Sequence, residues 1–402
     1  MLTVPSAHAD PALARDAVSR RRFASEGGAY VLMLEGKGHG GPLANVPVAI
    51  KDLVDISGIR TRCGSRVRAE ARPAARDAAV VTRLRDAGAR LVGKTALVEF
   101  AFGATGVNDF EGTPRNPHDP SRIPGGSSSG SAVAVAEGSA AAAIGTDTGG
   151  SVRIPGALCG VVGVKPSYGA IAVDGVFPLA PSLDHVGVLA PDVASVRAVL
   201  GVLMHLPSGH APRVAAVDRR GLDESTADVA RAVEDALKRW GVELKDTRLP
   251  DLDAIAAATT TLLYYEAARV HRATYEARRE AYGPYMRARL RRAFRFTDAD
   301  CAAARENVAT MRDEVEEVFA GADVIVGPTV GFVAPTLTEA LAPDASTRLV
   351  RFTRLWNAVR FPAISVPVPS PGLPIGLQIA ARTDADALAA AASFEQAVWR
   401  AT

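Results

Sequence analysis

Two serines and one lysine stand where their types and spacing could do chemistry. Ser127 and Ser151 each follow a Gly-Gly pair, in PGGSSSGS and GTDTGGSVR, 24 residues apart. Glycine pairs allow tight turns and close approach of backbone to a ligand. Lys51 ends the apolar run VPVAIK, and a lysine buried in such a strand is rare unless it has a task. A serine hydroxyl is a poor nucleophile until a base takes its proton. Lysine can be that base if burial lowers its pKa, because desolvation disfavours the charged form. The gap from nucleophile to base exceeds the comfortable reach of one side chain, so a second hydroxyl can relay the proton. Together the segments read as a serine hydrolase with lysine in place of histidine. Each segment alone has a plainer reading. Gly-Ser is commonly just a turn, and a strand-end lysine commonly snorkels to solvent.

The second glycine turn supplies more. The N–H groups of Thr148, Gly149, Gly150 and Ser151 can converge on one point and form an oxyanion hole. Asp147 and Arg153 flank the turn and can pair to hold it rigid, a role preferred here to a grip on substrate. The sequence has seven histidines, of which His185, in PSLDHVGVLA, has a motif-like setting and reads as a packed side chain. No G-x-S-x-G elbow occurs. Residues 88–95, GARLVGKT, match the phosphate-loop pattern. The residues between the glycines look like a strand, however, so Lys94 reads as structural. Phe177 reads as a wall of the substrate pocket, with Phe100 and Phe102 as core or wall.

These residues need elements to position them. Residues 77–87 predict a helix stopped at Gly88, with ARLVGKT following as a strand. ADVIVGP, AISVPV and PIGLQIAA are short, β-branched and bounded by Pro or Gly, as buried strands are. The Ala-rich segment between the two serine turns predicts a buried helix joining them. STADVARAVEDALKRWG predicts an amphipathic helix with Ser225 as N-cap and Gly241 as stop. Residues 251–319 read as mostly helical. Buried strands alternating with helices predict an α/β sheet covered on both faces. No strong boundary is visible, so 1–402 reads as one domain, with a mainly helical section at about 225–320 capping the active site.

Composition sets the bounds. The 402 residues are 48% hydrophobic and carry a net charge of +2, which gives no basic field for nucleic acid. The arginine run at 287–295 reads as a solvated helix face. Cys63, Cys159 and Cys301 are few and far apart, which fits a reducing, cytoplasmic setting. Cys159 reads as a small buried hydrophobe. The first 16 residues have no apolar core of signal-peptide length. The Ala-rich run is too short to span a membrane.

VPVAIKD, GGSSSGSA and GTDTGGSVRIP together resemble the amidase signature family. The likeness extends through GARLVGKTALVEFAFG, NPHDPSRIPGGSSSG, CGVVGVKPSYG and SLDHVG, and returns in FPAISVP and GLPIGLQI. The resemblance implies an α/β/α sandwich around a mixed sheet. It implies amide hydrolysis through an acyl-enzyme by a Ser–cis-Ser–Lys triad. Ser151 matches the nucleophile, Ser127 the cis-serine and Lys51 the base, while Thr148, Gly149 and Gly150 match the oxyanion turn. The expected activity is an amidase acting on non-peptide carbon–nitrogen bonds of a small carboxamide, ureido or aryl amide. No metal or organic cofactor is expected. The partner is a small amide, with no nucleic acid and no membrane, and a homodimer is allowed. The alternative is the A component of a tRNA-dependent glutamine amidotransferase, which frees ammonia from glutamine for a partner protein. The short N-terminal segment and compact middle section favour the stand-alone reading. A non-catalytic relative is opposed by the intact triad. Asn45 departs from the pattern, since the family usually has Gly there.

Overall fold

The computed structural model describes residues 28–399. The N-terminal stretch read for a signal peptide, and most of the segment that resemblance makes short, lie outside them. Among the described residues, eleven strands form one sheet. They are β1 (Tyr30–Met33), β2 (Pro47–Lys51), β3 (Arg90–Thr95), β4 (Ala142–Asp147), β5 (Val162–Lys165), β6 (His185–Ala190), β7 (Val214–Asp218), β8 (Glu243–Thr247), β9 (Val324–Pro328), β10 (Ala363–Val368) and β11 (Ile375–Ala381). Their spatial order is β1-β3-β2-β4-β6-β5-β10-β11-β9-β7-β8. β2 pairs in parallel with β3 and β4, whereas β4 and β6 run antiparallel, so the sheet is mixed. Helices pack on both faces of the sheet. The expected α/β/α arrangement is what the chain adopts.

Strand alternation decides where Lys51 goes. Successive side chains on a strand point to opposite faces. Val48 and Ile50 of β2 enter one apolar core, and Ala49 enters another with Ala132 and Val133 of the Ser129–Ala136 helix. Lys51 falls on the Ala49 face, towards the segment that carries Ser127. The neighbouring β4 is fully buried, and its Thr146 side chain meets Lys51. Each fully buried Val or Ile in this layer contributes about 1.5–3 kcal/mol.

Four expectations are corrected. The Ala-rich segment is helix only over Ser129–Ala136, and its second half is the strand β4. Gly138, at φ 76°, ends the helix in a conformation most side chains avoid, and Ala142 to Ile144 then pair with β2. Ser225 is not the N-cap of the following helix. That place belongs to Thr226, and Ser225 Oγ donates to Gly221 O at 2.7 Å. The stretch 225–320 is not wholly a cap. It includes β8, paired with β7, and the Ala227–Trp240 helix packs on the sheet through Val229, Val233 and Leu237. The part lying over the cavity begins with the Leu252–Arg278 helix. Finally, Arg289 and Arg292 of the basic run line that cavity, so the run is not simply a solvated face.

Two local departures resolve physically. Asn45 has φ 58°, a left-handed conformation that Asn tolerates better than most residues, so it can stand where Gly is usual. The phosphate-loop match is strand β3, and buried Lys94 pairs with Asp52 at 2.9 Å.

Candidate active site

Lys51, Ser127 and Ser151 come from three separate elements and meet at one end of the sheet. The Lys51 amine is fully buried. It donates to Ser127 Oγ at 2.7 Å, Ser128 Oγ at 2.9 Å and Thr146 Oγ1 at 2.9 Å. Burial pulls its pKa down to about 7, although Asp147 and Asp184 pull the other way. A substantial fraction of such an amine is therefore neutral near pH 7, and a neutral amine can accept a hydroxyl proton. Ser127 is also fully buried, and the Gly126–Ser127 peptide is cis. Ser128 N–H donates to Ser151 O at 3.1 Å and ties the two serine turns together. Gly145 on β4 makes room for this, since a Cβ there would lie 2.7 Å from Ser128 Oγ.

Ser151 lies on the turn between β4 and the Arg153–Cys159 helix and lines a cavity of about 200 Å3. Its hydroxyl makes no hydrogen bond to the described residues. Thr148 and Gly149 line the same cavity. Among the described residues the N–H groups of Thr148, Gly149 and Ser151 have no acceptor, which leaves them free to receive an oxyanion. Gly150 differs from expectation. Its N–H already donates to Asp147 Oδ1 at 2.7 Å. Its part is conformational: φ is 129°, and a Cβ would collide with Thr353 Oγ1.

A buried ion pair fixes the turn. Arg153 Nη2 lies 2.9 Å from Asp147 Oδ1, and both side chains are fully buried. The other carboxylate oxygen accepts from Val152 N–H at 3.1 Å. Burial pushes the Asp147 carboxyl up, but the Arg153 guanidinium and hydrogen bonds from Arg153 and Asn357 outweigh it. The net position is well below the ordinary carboxylate range. Arg153 also donates to Asn357 Oδ1 and Gln378 Oε1, both at 2.7 Å. Thr353 Oγ1 donates to Gly149 O at 2.6 Å. Thr148 Oγ1 donates to Asp184 Oδ1 at 2.6 Å, and the same carboxylate accepts from Leu179 and Ala180 N–H.

Two expected residues take other places. Phe177 does not line the cavity. It packs against Phe100 and His271, with ring centroids 5.2 and 5.9 Å away. Its segment still reaches the cavity through Leu179 and Leu183, and Phe102 lines it. His185 is buried and makes no hydrogen bond to either serine, and Nδ1 donates to Leu183 O at 2.7 Å. Burial holds its pKa well below the ordinary value.

Sequence reasoning missed Ser128, Thr146, Thr353, Asn357 and Gln378. Ser128 had a signal, since it sits inside the GGSSSG turn. Thr146 and Gln378 had one too, inside GTDTGGSVR and GLPIGLQI, whereas Thr353 and Asn357 lie in segments without motif character and contact alone recruits them.

The amidase family model matches residues 21–389. The chain belongs to the amidase signature family. The A component of glutamyl-tRNA(Gln) amidotransferase from Anaeromyxobacter dehalogenans is 35% identical over 85% of this chain and 79% of its own length. The solved structure of the same component from Thermotoga maritima superposes with a TM-score of 0.84 at 30% identity, covering 95% of this chain and 89% of the other. A 6-aminohexanoate cyclic dimer hydrolase complexed with substrate superposes with a TM-score of 0.83 at 26% identity, covering 92% and 89%. The chain is thus similar both to amidotransferase components and to an enzyme that hydrolyses a small amide.

Proposed function

We propose that this protein hydrolyses a small amide through an acyl-enzyme on Ser151. The supporting observation is a buried amine, Lys51, 2.7 Å from Ser127 Oγ, beside a turn that presents Ser151 to a cavity. Ser151 Oγ attacks the amide carbon. Its proton passes to the Ser127 hydroxyl, whose own proton goes to neutral Lys51. The carbonyl oxygen gains charge and is met by the free N–H groups of the Thr148–Ser151 turn. The proton then returns through Ser127 to the leaving nitrogen, and the C–N bond breaks. Water repeats the sequence on the ester and frees the acid.

A fluorophosphonate probe followed by peptide mass spectrometry tests the nucleophile. The adduct is expected on Ser151, and Ser151→Ala should lose turnover while keeping the fold. An adduct on Ser127 or Ser129 would overturn the assignment.

The second reading is the A component of an amidotransferase, acting on glutamine for a partner. It is favoured by the 35% identity to that protein. Ammonia release by the purified chain alone supports the first reading. Release that requires a second protein supports the other.

A further inference from the structure

The cavity beside Ser151 has an unbalanced charge. Arg289, Arg292 and Arg354 line it, and among the described residues no Asp or Glu does. None of the three forms an ion pair among the described residues. Arg289 stacks on Phe102 and Tyr285, with its guanidinium 5.1 and 4.5 Å from the ring centroids. It also donates to the Tyr285 hydroxyl. Arg292 lies 5.1 Å from the Tyr264 ring centre.

Arg354 is the most telling of the three. It is only 7% exposed. Its hydrogen bonds go to neutral acceptors alone: Val350 O at 3.3 Å, Ala256 O at 3.2 Å and Thr260 Oγ1 at 3.2 Å. Its neighbour Arg351 shows the ordinary arrangement, paired with Glu224 and with Asp253. A buried charge is costly unless it is paired. Nothing among the described residues pairs Arg354, and it borders a cavity that a ligand must enter. The position is also fixed relative to the reaction centre, because the preceding residue, Thr353, is bonded to Gly149 O.

We propose that Arg354, flanked by Arg289 and Arg292, is a subsite for an anionic group, so the substrate is a small amide that carries a carboxylate. This inference rests on the amidase reading above. A guanidinium offers a planar fork that matches a carboxylate in two parallel hydrogen bonds. The absence of an acid from the cavity wall leaves no partner for an ammonium group. An α-amino acid amide would bring one, and so is disfavoured against its deaminated analogue. The cavity of about 200 Å3 has room for a short chain.

Four amides separate the possibilities. Glutaramate carries the carboxylate on the acyl side and N-pentanoylglycine on the amine side. Pentanamide has a methyl in place of the carboxylate, and glutamine adds an ammonium. One carboxylate amide should be preferred to pentanamide, chiefly through KM, and glutamine should be poorer than glutaramate. In Arg354→Gln that preference should fall roughly 10–100-fold, the range for hydrogen bonds to a charged group, and Arg354→Lys should restore part of it. Calorimetric titration with glutarate reads the subsite without turnover, and Arg354→Gln should weaken it by a similar factor. If Arg354→Gln does not fold, as judged by circular dichroism, exposed Arg292→Gln carries the same comparison. Loss of glutaramate and pentanamide hydrolysis in equal measure, or glutarate binding indifferent to the arginines, overturns the subsite. Glutarate binding that depends on Arg354, with no amide hydrolysed, would instead sink the amidase reading and leave the subsite standing.

Discussion

At the scale of single residues, the site depends on a lysine that must lose its proton. Lys51 sits among three hydroxyls, and burial holds its pKa near 7. Only the neutral amine accepts a proton, so the active fraction grows as pH rises. The value of kcat/KM should climb about tenfold per pH unit below that pKa and level off above it. A pH–rate profile that falls through the same region would refute the base assignment. Arginine stays charged and cannot accept the proton, so Lys51→Arg should lose on the order of 10²–10⁴ in rate. His185→Gln should keep the same profile, because that imidazole faces a carbonyl and not a serine. Ser127 has a subtler test. An amide nitrogen must be protonated before it leaves, whereas an alkoxide departs more readily. Ser127→Ala should therefore retain proportionately more activity on an ester than on the matching amide. Equal losses would mean that Ser127 shapes the site without carrying a proton.

At the scale of elements, the nucleophile turn is held by groups far away in sequence. Asp147 ends β4, Arg153 opens the next helix, and Asn357 and Gln378 reach in from elsewhere. Removing Arg153 would leave a buried carboxylate without its counter-charge. Arg153→Ala should cost about 3–5 kcal/mol of stability, measured by urea unfolding. A loss under about 1 kcal/mol would mean that water or a neighbour already compensates Asp147. Strand β2 works in the same way on a smaller scale. Its period of two, with Ala49 on the Lys51 side, aims the amine at Ser127.

At the scale of the whole molecule, one sheet of eleven described strands carries the site near its β2–β4 pair, and a helical section borders the cavity. Among the described residues, no helix is long and apolar enough to cross a membrane. On the stand-alone reading, the purified protein should release ammonia or an amine from a small amide without any partner, in a single gel-filtration peak. Turnover that appears only after a second protein is added would shift the assignment to the amidotransferase reading.

The sequence by itself determined the family, the sheet class and the local turns. Gly-Gly-Ser turns are written in glycine because few other residues adopt such backbone, and the apolar run before Lys51 marks a buried strand. Strands β9, β10 and β11 were legible for the same local reason, as β-branched runs bounded by Pro or Gly, and β3 as the run that follows the helix stop at Gly88. Tertiary structure alone decided what those turns meet. Nothing near Phe177 says that its ring will pack on His271 while Leu179 reaches the cavity. Nothing in the basic run at 287–295 distinguishes Arg289 and Arg292, which border the cavity, from Arg291 and Arg295, which do not. Arg354 carries no motif at all. Its place follows from a bond between Thr353 and Gly149, 204 residues apart. Backbone conformation is a local property and leaves a local record in residue type. Pairing between remote side chains is settled only when the sheet brings them together.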